Sequence, residues 1–308
     1  MKLTTPVHVP ESSIRIGYGD SIMFVGSCFA EEVGAWFTRH RFRSCVNPFG
    51  IIFNPVSLSA NLDRMIEGRL FSPDELVEHG EMWHSMDHHG AFSSASIDVA
   101  LDKMNSELMH GREFLLNAKW LILTFGTAWV YERQGRVVAN CHKLSSTEFE
   151  RKLMSHSAIA GMWMKTSARL RSFNPDLNVI FSVSPVRYLK HGAVENQLSK
   201  SHLLIAVNQL REQGAGSYFP AYEIMMDELR DYRFWDRDMA HPSDTAVDFI
   251  LDKFRSAWLS PESAALSDKL DPWLSLLEHR PIHETQEQTA RRIEKAEMEI
   301  QQIMSEVK

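Results

Sequence analysis

Short, densely apolar runs alternate along this chain with longer stretches in which apolar residues recur every three or four positions. SIMFV, Ser21 to Val25, is one such run. It stops at Gly26 and gives way to AEEVGAWFTRH, where Val33, Trp36 and Phe37 fall at helical spacing, so strand, tight turn and helix are predicted in that order. WLILTFG (Trp120 to Gly126) and LNVIFSVSP (Leu177 to Pro185) are further apolar runs closed by turn formers. Their lack of alternation predicts strands covered on both faces. Between them, Thr147 to Phe173 reads as one long amphipathic helix, and Leu198 to Gln213 as another that ends before Gly214.

Strands alternating with helices predict an α/β fold with a parallel sheet wrapped on both sides. Ligands of such sheets bind outside the carboxyl ends of the strands, where Ser27, Thr127 and Ser184 fall. After about Ser260 the character changes. Pro261, Pro272 and Pro281 punctuate short segments, and HETQEQTARRIEKAEMEIQQIMSEVK runs on as a charged helix. The expected organisation is one α/β domain over 1–260 and a helical C-terminal extension over 261–308. Ile293, Ala296, Ile300, Ile303 and Val307 make a brief heptad seam. So short a seam favours packing on the parent domain, with a homodimer as the alternative.

Composition adds exclusions. With 308 residues, 44% hydrophobic and 24% charged, the chain can bury a large core. Its net charge of −7 is mixed along the sequence with no basic block, so nucleic acid is not an expected partner. The cysteines Cys28, Cys45 and Cys141 are odd in number and sparse, which points to a reducing compartment rather than a disulfide framework. MKLTTPVHVP lacks an apolar core, and no segment approaches the roughly 18 apolar residues of a spanning helix. A cytoplasmic protein without membrane contact is the expectation.

A serine between a buried strand and a helix presents its hydroxyl at the sheet edge, with free amides of the helix start facing a developing oxyanion. Ser27 in VGSCFAEEVG has that place, beside Gly26, which leaves room for substrate. The plain alternative is a helix N-cap. Cys28 is a rival nucleophile, because a thiol at a helix start is reactive, or else a small buried apolar residue. Far along the chain, YRFWDRDMAHPSD holds Asp238 and His241 three apart, on one side of a turn that Pro242 keeps out of helix. His241 would take and return the serine proton and Asp238 would orient it, with Asp236 as a substitute. A surface Asp/His pair is the plain alternative.

GSCFA (Gly26 to Ala30), NPFGIIFNP (Asn47 to Pro55), FGTAWVY (Phe125 to Tyr131), ANCHK (Ala139 to Lys143), SPVR (Ser184 to Arg187) and YFPAYEIMMDELRDYRFWDRDMAHPS together resemble the GSCFA domain family over most of Ser21 to Phe254. That family is similar to SGNH/GDSL hydrolases, which implies a three-layer flavodoxin-like α/β fold and esterase chemistry. By the resemblance, Ser27 aligns with the first-block nucleophile and DMAH with the last-block Asp-x-x-His. SGNH enzymes carry Gly-x-Asn-Asp after the third strand, where this chain reads Gly126, Thr127, Ala128, Trp129. Another oxyanion donor is then needed, and Thr127, Asn140, His142 and the Gly50 amide are the candidates, the last resembling the second-block glycine.

Other clusters admit both functional and plainer roles. WHSMDHHGAF gathers His84, Asp87, His88 and His89, which could hold a metal, line the cleft or decorate the surface. Arg187 could grip an acyl or sugar oxygen or pair with Glu195. Trp36, Trp83, Trp129, Tyr131 and Trp235 could stack on sugars or fill the core. The expected activity is hydrolysis of a small acyl ester, an acetylated carbohydrate for example, with no metal or cofactor. Alternatives are acyl transfer, a Cys28 thiol enzyme, or a binding module that has lost turnover.

Overall fold

The computed structural model describes residues 4–279 and 285–306. β1 (Ser21–Gly26) leads into α1 (Cys28–Arg39) and β2 (Arg43–Val46), then α2 (Pro55–Glu67), a hairpin of β3 (Leu76–His79) and β4 (Met82–Ser85), and α3 (Ile97–Leu116) before β5 (Trp120–Phe125). Next come β6 (Trp129–Arg133), β7 (Arg136–Val138) and β8 (Glu150–Leu153), a small antiparallel sheet in the order β7-β6-β8. α4 (His156–Phe173), β9 (Asn178–Val183), α5 (Ala193–Glu212) and β10 (Ser217–Phe219) complete the main sheet. The short α6 (Ala221–Glu223), α7 (Asp244–Trp258), α8 (Pro261–Glu278) and α9 (Gln286–Ser305) follow.

The main sheet has the order β10-β9-β5-β1-β2 with every pair parallel. β1 and β5 are buried along their whole length, as unalternating strands require. Successive side chains point to opposite faces. Met23, Val25, Leu121 and Leu123 join a core with α2, α3, α4 and α5. Ile22, Phe24, Trp120 and Ile122 join a second core with α1, α7, α8 and α9. The result is the expected three-layer α/β arrangement.

Several local expectations are corrected. The predicted helix from Thr147 is two elements: Glu150–Leu153 pairs antiparallel with β6, and α4 begins only after Ser155, whose side chain caps the Ala158 amide. Pro272 lies inside α8 rather than between segments, at the cost of one backbone hydrogen bond. α5 starts at Ala193, five residues before the predicted helix. The C-terminal helices sit on the second face of the sheet, where Leu270, Leu274 and Ile300 share its core. His40 Nε2 and Arg39 also reach Asp271, at 2.9 and 3.1 Å. Ala296 and Ile300 of the heptad seam are buried within the chain, while Pro281 and Val307 lie outside the described residues. No helix among the described residues is long and apolar enough to cross a membrane.

Leu123, fully buried at the centre of β5, gives a direct check on this core. Leu123→Ala should lower unfolding free energy by about 2–5 kcal/mol in urea titration; a loss below about 1 kcal/mol would contradict the packing.

Candidate active site

The crossover from β1 through α1 adds β2 on one side of β1, and the chain then returns to place β5 on the other side. Connections diverge between β1 and β5, which makes the carboxyl ends of those two strands the topological switch point, where ligands of such sheets bind. Ser27 stands at the end of β1, at that switch point. Gly26 takes φ +144°, and a Cβ there would lie 2.2 Å from the Thr124 carbonyl oxygen, so only glycine fits. The Gly26 amide donates to Asn47 Oδ1 at 2.9 Å, and its carbonyl accepts from Ile52 N at 2.9 Å. Phe53 O accepts from the Gly126 and Thr127 amides at 2.8 and 3.0 Å. Segment 50–54 therefore bridges the two strand ends.

Ser27 occupies the N-cap position of α1, yet its side chain caps nothing. Its residue is 1% exposed and its Oγ is buried without any hydrogen-bond partner. Leaving a hydroxyl in that state costs about 1–3 kcal/mol, so the N-cap alternative does not account for this serine. Burial pushes the Cys28 thiol up, while the Phe29 amide and Lys200 pull the other way. A thiol kept protonated is a poor nucleophile.

The DMAH segment forms a turn, with Met239 in the left-handed region at φ +58°. Asp238 Oδ1 accepts from the Ala240 and His241 amides at 2.8 and 2.9 Å, and Oδ2 lies 2.6 Å from His241 Nδ1. The His241 amide, the Ala240 amide and the His241 ring hold the Asp238 carboxyl down at about 2. Asp238 is thus the carboxylate that holds the His241 ring. Asp236 is not, because its side chain accepts from the Arg237 amide instead. The Arg187 amide donates to Ala240 O at 2.9 Å, which docks the turn beyond the end of β9, on the Ser27 edge of the sheet. The His241 side chain is half exposed. Since Ser27 Oγ has no partner, the Ser27–His241 hydrogen bond is not made in this conformation.

Most proposed oxyanion donors are already engaged. The Gly50 amide closes a turn onto Asn47 O at 2.7 Å, which removes it as a ready donor. Gly126 N serves Phe53 O, as above. The Thr127 hydroxyl accepts from Trp129 N and lies 3.0 Å from Ser199 Oγ. His142 is buried, held neutral at about 4 by that burial, and its Nε2 lies 2.7 Å from Ser85 O. Asn140 engages its side-chain oxygen with the His142 amide.

The histidine cluster has structural duties. His88 is fully buried among Phe49, Phe71 and Phe92, and burial pushes it down to about 3. His84 stacks on His142 with centroids 4.6 Å apart. His89 accepts from the Ala91 amide. Among the described residues no group of three or more His, Cys, Asp or Glu could hold a metal ion. His89 and Gly50 line a groove of about 800 Å³ between α1 and α8, which neither Ser27 nor His241 reaches. Arg187 lies over the Trp235 ring at 3.6 Å rather than on Glu195, which pairs with Arg151. Arg151 likewise covers Trp129, and Trp36 stacks on His40, so each of these three indoles already has one face occupied.

Two residues escaped the sequence reading. Asn47, buried and at φ +46°, clips the Gly26 amide. Lys200, fully buried on α5, donates through Nζ to Gly126 O at 2.8 Å and Ser184 O at 2.7 Å. Burial pushes its amine down to about 7. Its one available signal was position, since Asn196, Ser199, Leu203 and Val207 share its buried helix face.

The parallel sheet, with a serine at the strand end by its topological switch and an Asp-x-x-His turn on the same edge, defines an α/β protein. The chain matches the GSCFA family over residues 21–254 and belongs to it. No curated protein matches it significantly. Among solved structures it is similar to an acetyl xylan esterase from the rumen bacterium Butyrivibrio proteoclasticus, at 12% identity and a TM-score of 0.36, with 78% of this chain and 64% of that one covered. The chain spans under two thirds of that protein's length.

Two titrations test this electrostatic picture. In His241→Ala the two backbone amides remain, so the Asp238 carboxyl, followed by ¹³C NMR, should still titrate below its ordinary value of about 3.9; a return to that value would make the ring the dominant cause. For Lys200, the unfolded chain binds the extra proton between about pH 7 and about 10.4. Its contribution is therefore unfavourable at and below pH 7 and is relieved as pH rises. Wild-type stability, measured relative to Lys200→Met, should climb by a few kcal/mol from pH 7 to 9.5. A flat difference would contradict the buried amine.

Proposed function

We propose that the protein is a serine esterase that hydrolyses a small acyl ester, with an acetylated carbohydrate as the substrate class, through an acyl-Ser27 intermediate. The observation that carries this reading is the Ser27 hydroxyl: placed at the switch point, released from capping and left without a partner. Ser167 Oγ and four other buried side-chain atoms also lack a partner, and what sets Ser27 apart is its place at the strand end, where a free hydroxyl has a catalytic use. In the reaction, His241 Nε2 takes the Oγ proton as Oγ bonds to the acyl carbon. The same proton passes to the alkoxide as the ester C–O bond breaks and the alcohol leaves. Water then attacks the acyl-serine with His241 again as base, releasing the acid and restoring Ser27. Asp238, ionised down to about pH 2, fixes the tautomer and stabilises the imidazolium.

For His241 to perform this role its turn must swing or tilt until Nε2 reaches Oγ, since an unliganded site need not hold that contact. If an alcohol replaces water in the second half, the same chemistry is acyl transfer. A binding module without turnover is the second reading, favoured by Ala128 and by the engaged Gly50 amide.

A fluorophosphonate should add one phosphonyl group to Ser27, located by peptide mass spectrometry. Ser27→Ala and His241→Ala should each lower turnover of an activated acetyl ester by about 10⁴-fold. Turnover that survives both substitutions, or wild-type protein left unlabelled while a control esterase reacts, would defeat the esterase reading.

A further inference from the structure

The parallel registers bring three strand ends to one level. Gly26 pairs with Thr124, and Thr124 with Ser182. Gly126 and Ser184 lie two residues beyond Thr124 and Ser182, so they stand abreast past the ends of β5 and β9, while β1 turns at Ser27 into α1. The ladder continues past its formal end, since Ser27 N reaches Thr124 O at 3.2 Å and Ser184 N reaches Phe125 O at 2.9 Å. Lys200 Nζ rises from α5 and binds the carbonyls of Gly126 and Ser184. A cation is thereby held at the strand ends, near enough to Cys28, the residue after Ser27, for the amine and the thiol to influence one another. The neighbouring Ser199 Oγ accepts the Ala128 amide at 2.7 Å. Two adjacent residues of α5 therefore grip the turn in which an SGNH asparagine would stand.

The geometry points to Lys200 as a positioning residue for the Ser27 reaction. Clamped to the ends of β5 and β9, its ammonium supplies a positive charge at the strand ends beside Ser27, close to Ala128, whose methyl side chain has no donor for an oxyanion. This inference rests on Ser27 being the nucleophile. Preorganised charge in a site closed to water stabilises a developing anion without rearrangement. The titratable groups facing Nζ are the Cys28 thiol on α1 and the Tyr222 phenol on α6, whose ring centre is 5.6 Å away. Burial pushes both of those up, so they stay neutral while the amine, near 7, loses its charge as pH rises.

The test is the rate of Ser27 phosphonylation by a fluorophosphonate from pH 5.5 to 9.5, in wild type, Lys200→Met and Lys200→Gln, with circular dichroism confirming each fold. Wild type should show a descending limb as the ammonium is lost above about pH 7. Both variants should lose that limb and label about 10- to 100-fold more slowly at pH 6.5. Lys200→Gln keeps an amide donor for the carbonyls, so a merely structural tether would leave its rate and profile near wild type and overturn the proposal. A wild-type profile without a descending limb overturns it even if neither variant folds. Absence of labelling at Ser27 in wild type removes the esterase reading first and this role with it. Labelling with unchanged profiles removes only the role of Lys200.

Discussion

The parallel pairing of β1 with β5 decides where chemistry can occur in this protein. It aligns Gly26 with Thr124, it forces the backbone of Gly26 against the Thr124 carbonyl, and it delivers Ser27 to the one place on the sheet where the crossovers part. Everything proposed for function depends on that alignment. A slip of one residue would turn every β1 side chain to the opposite face and exchange the two cores. The buried helices on either side, including the C-terminal pair, hold the register by filling both faces.

On the same edge the proposed triad is not joined. Asp238 and His241 are tightly paired, whereas Ser27 is buried without a partner beside strand ends bridged by segment 50–54. Backbone amides that a hydrolase of this architecture would aim at an oxyanion are occupied by local carbonyls. The conformation described is therefore a resting one under the esterase reading, and opening must exchange those local bonds for bonds to substrate. Lys200 needs no such exchange, because its two carbonyl partners are part of the strand ends themselves.

Much of this was legible in the chain, for definite reasons. β1, β5 and β9 are covered on both faces, so each reads as an unbroken apolar run closed by a turn former. Ser27 and the DMAH turn were readable because each sits beside strong local punctuation, Gly26 and Pro242. β2 and β10 were not, since four and three residues of mixed character at the sheet edges leave no periodic signal. β8 hid within a polar stretch that mimics a helix start. Lys200 was illegible because a lysine in a helix reads as solvent-facing, and only the tertiary register reveals two carbonyls waiting for it. The engagement of the Gly50 amide was equally invisible, because a four-residue turn, Asn47 to Gly50, decides it.

The central claim is that Ser27 and His241 come together when an acyl carbon is bound. A crystal structure of the protein after reaction with a fluorophosphonate tests it most directly. The account predicts phosphorus bonded to Ser27 Oγ, segment 50–54 displaced, and His241 Nε2 within about 3 Å of an oxygen on the adduct. An adduct on Cys28, or one on Ser27 with His241 still turned to solvent, would contradict it.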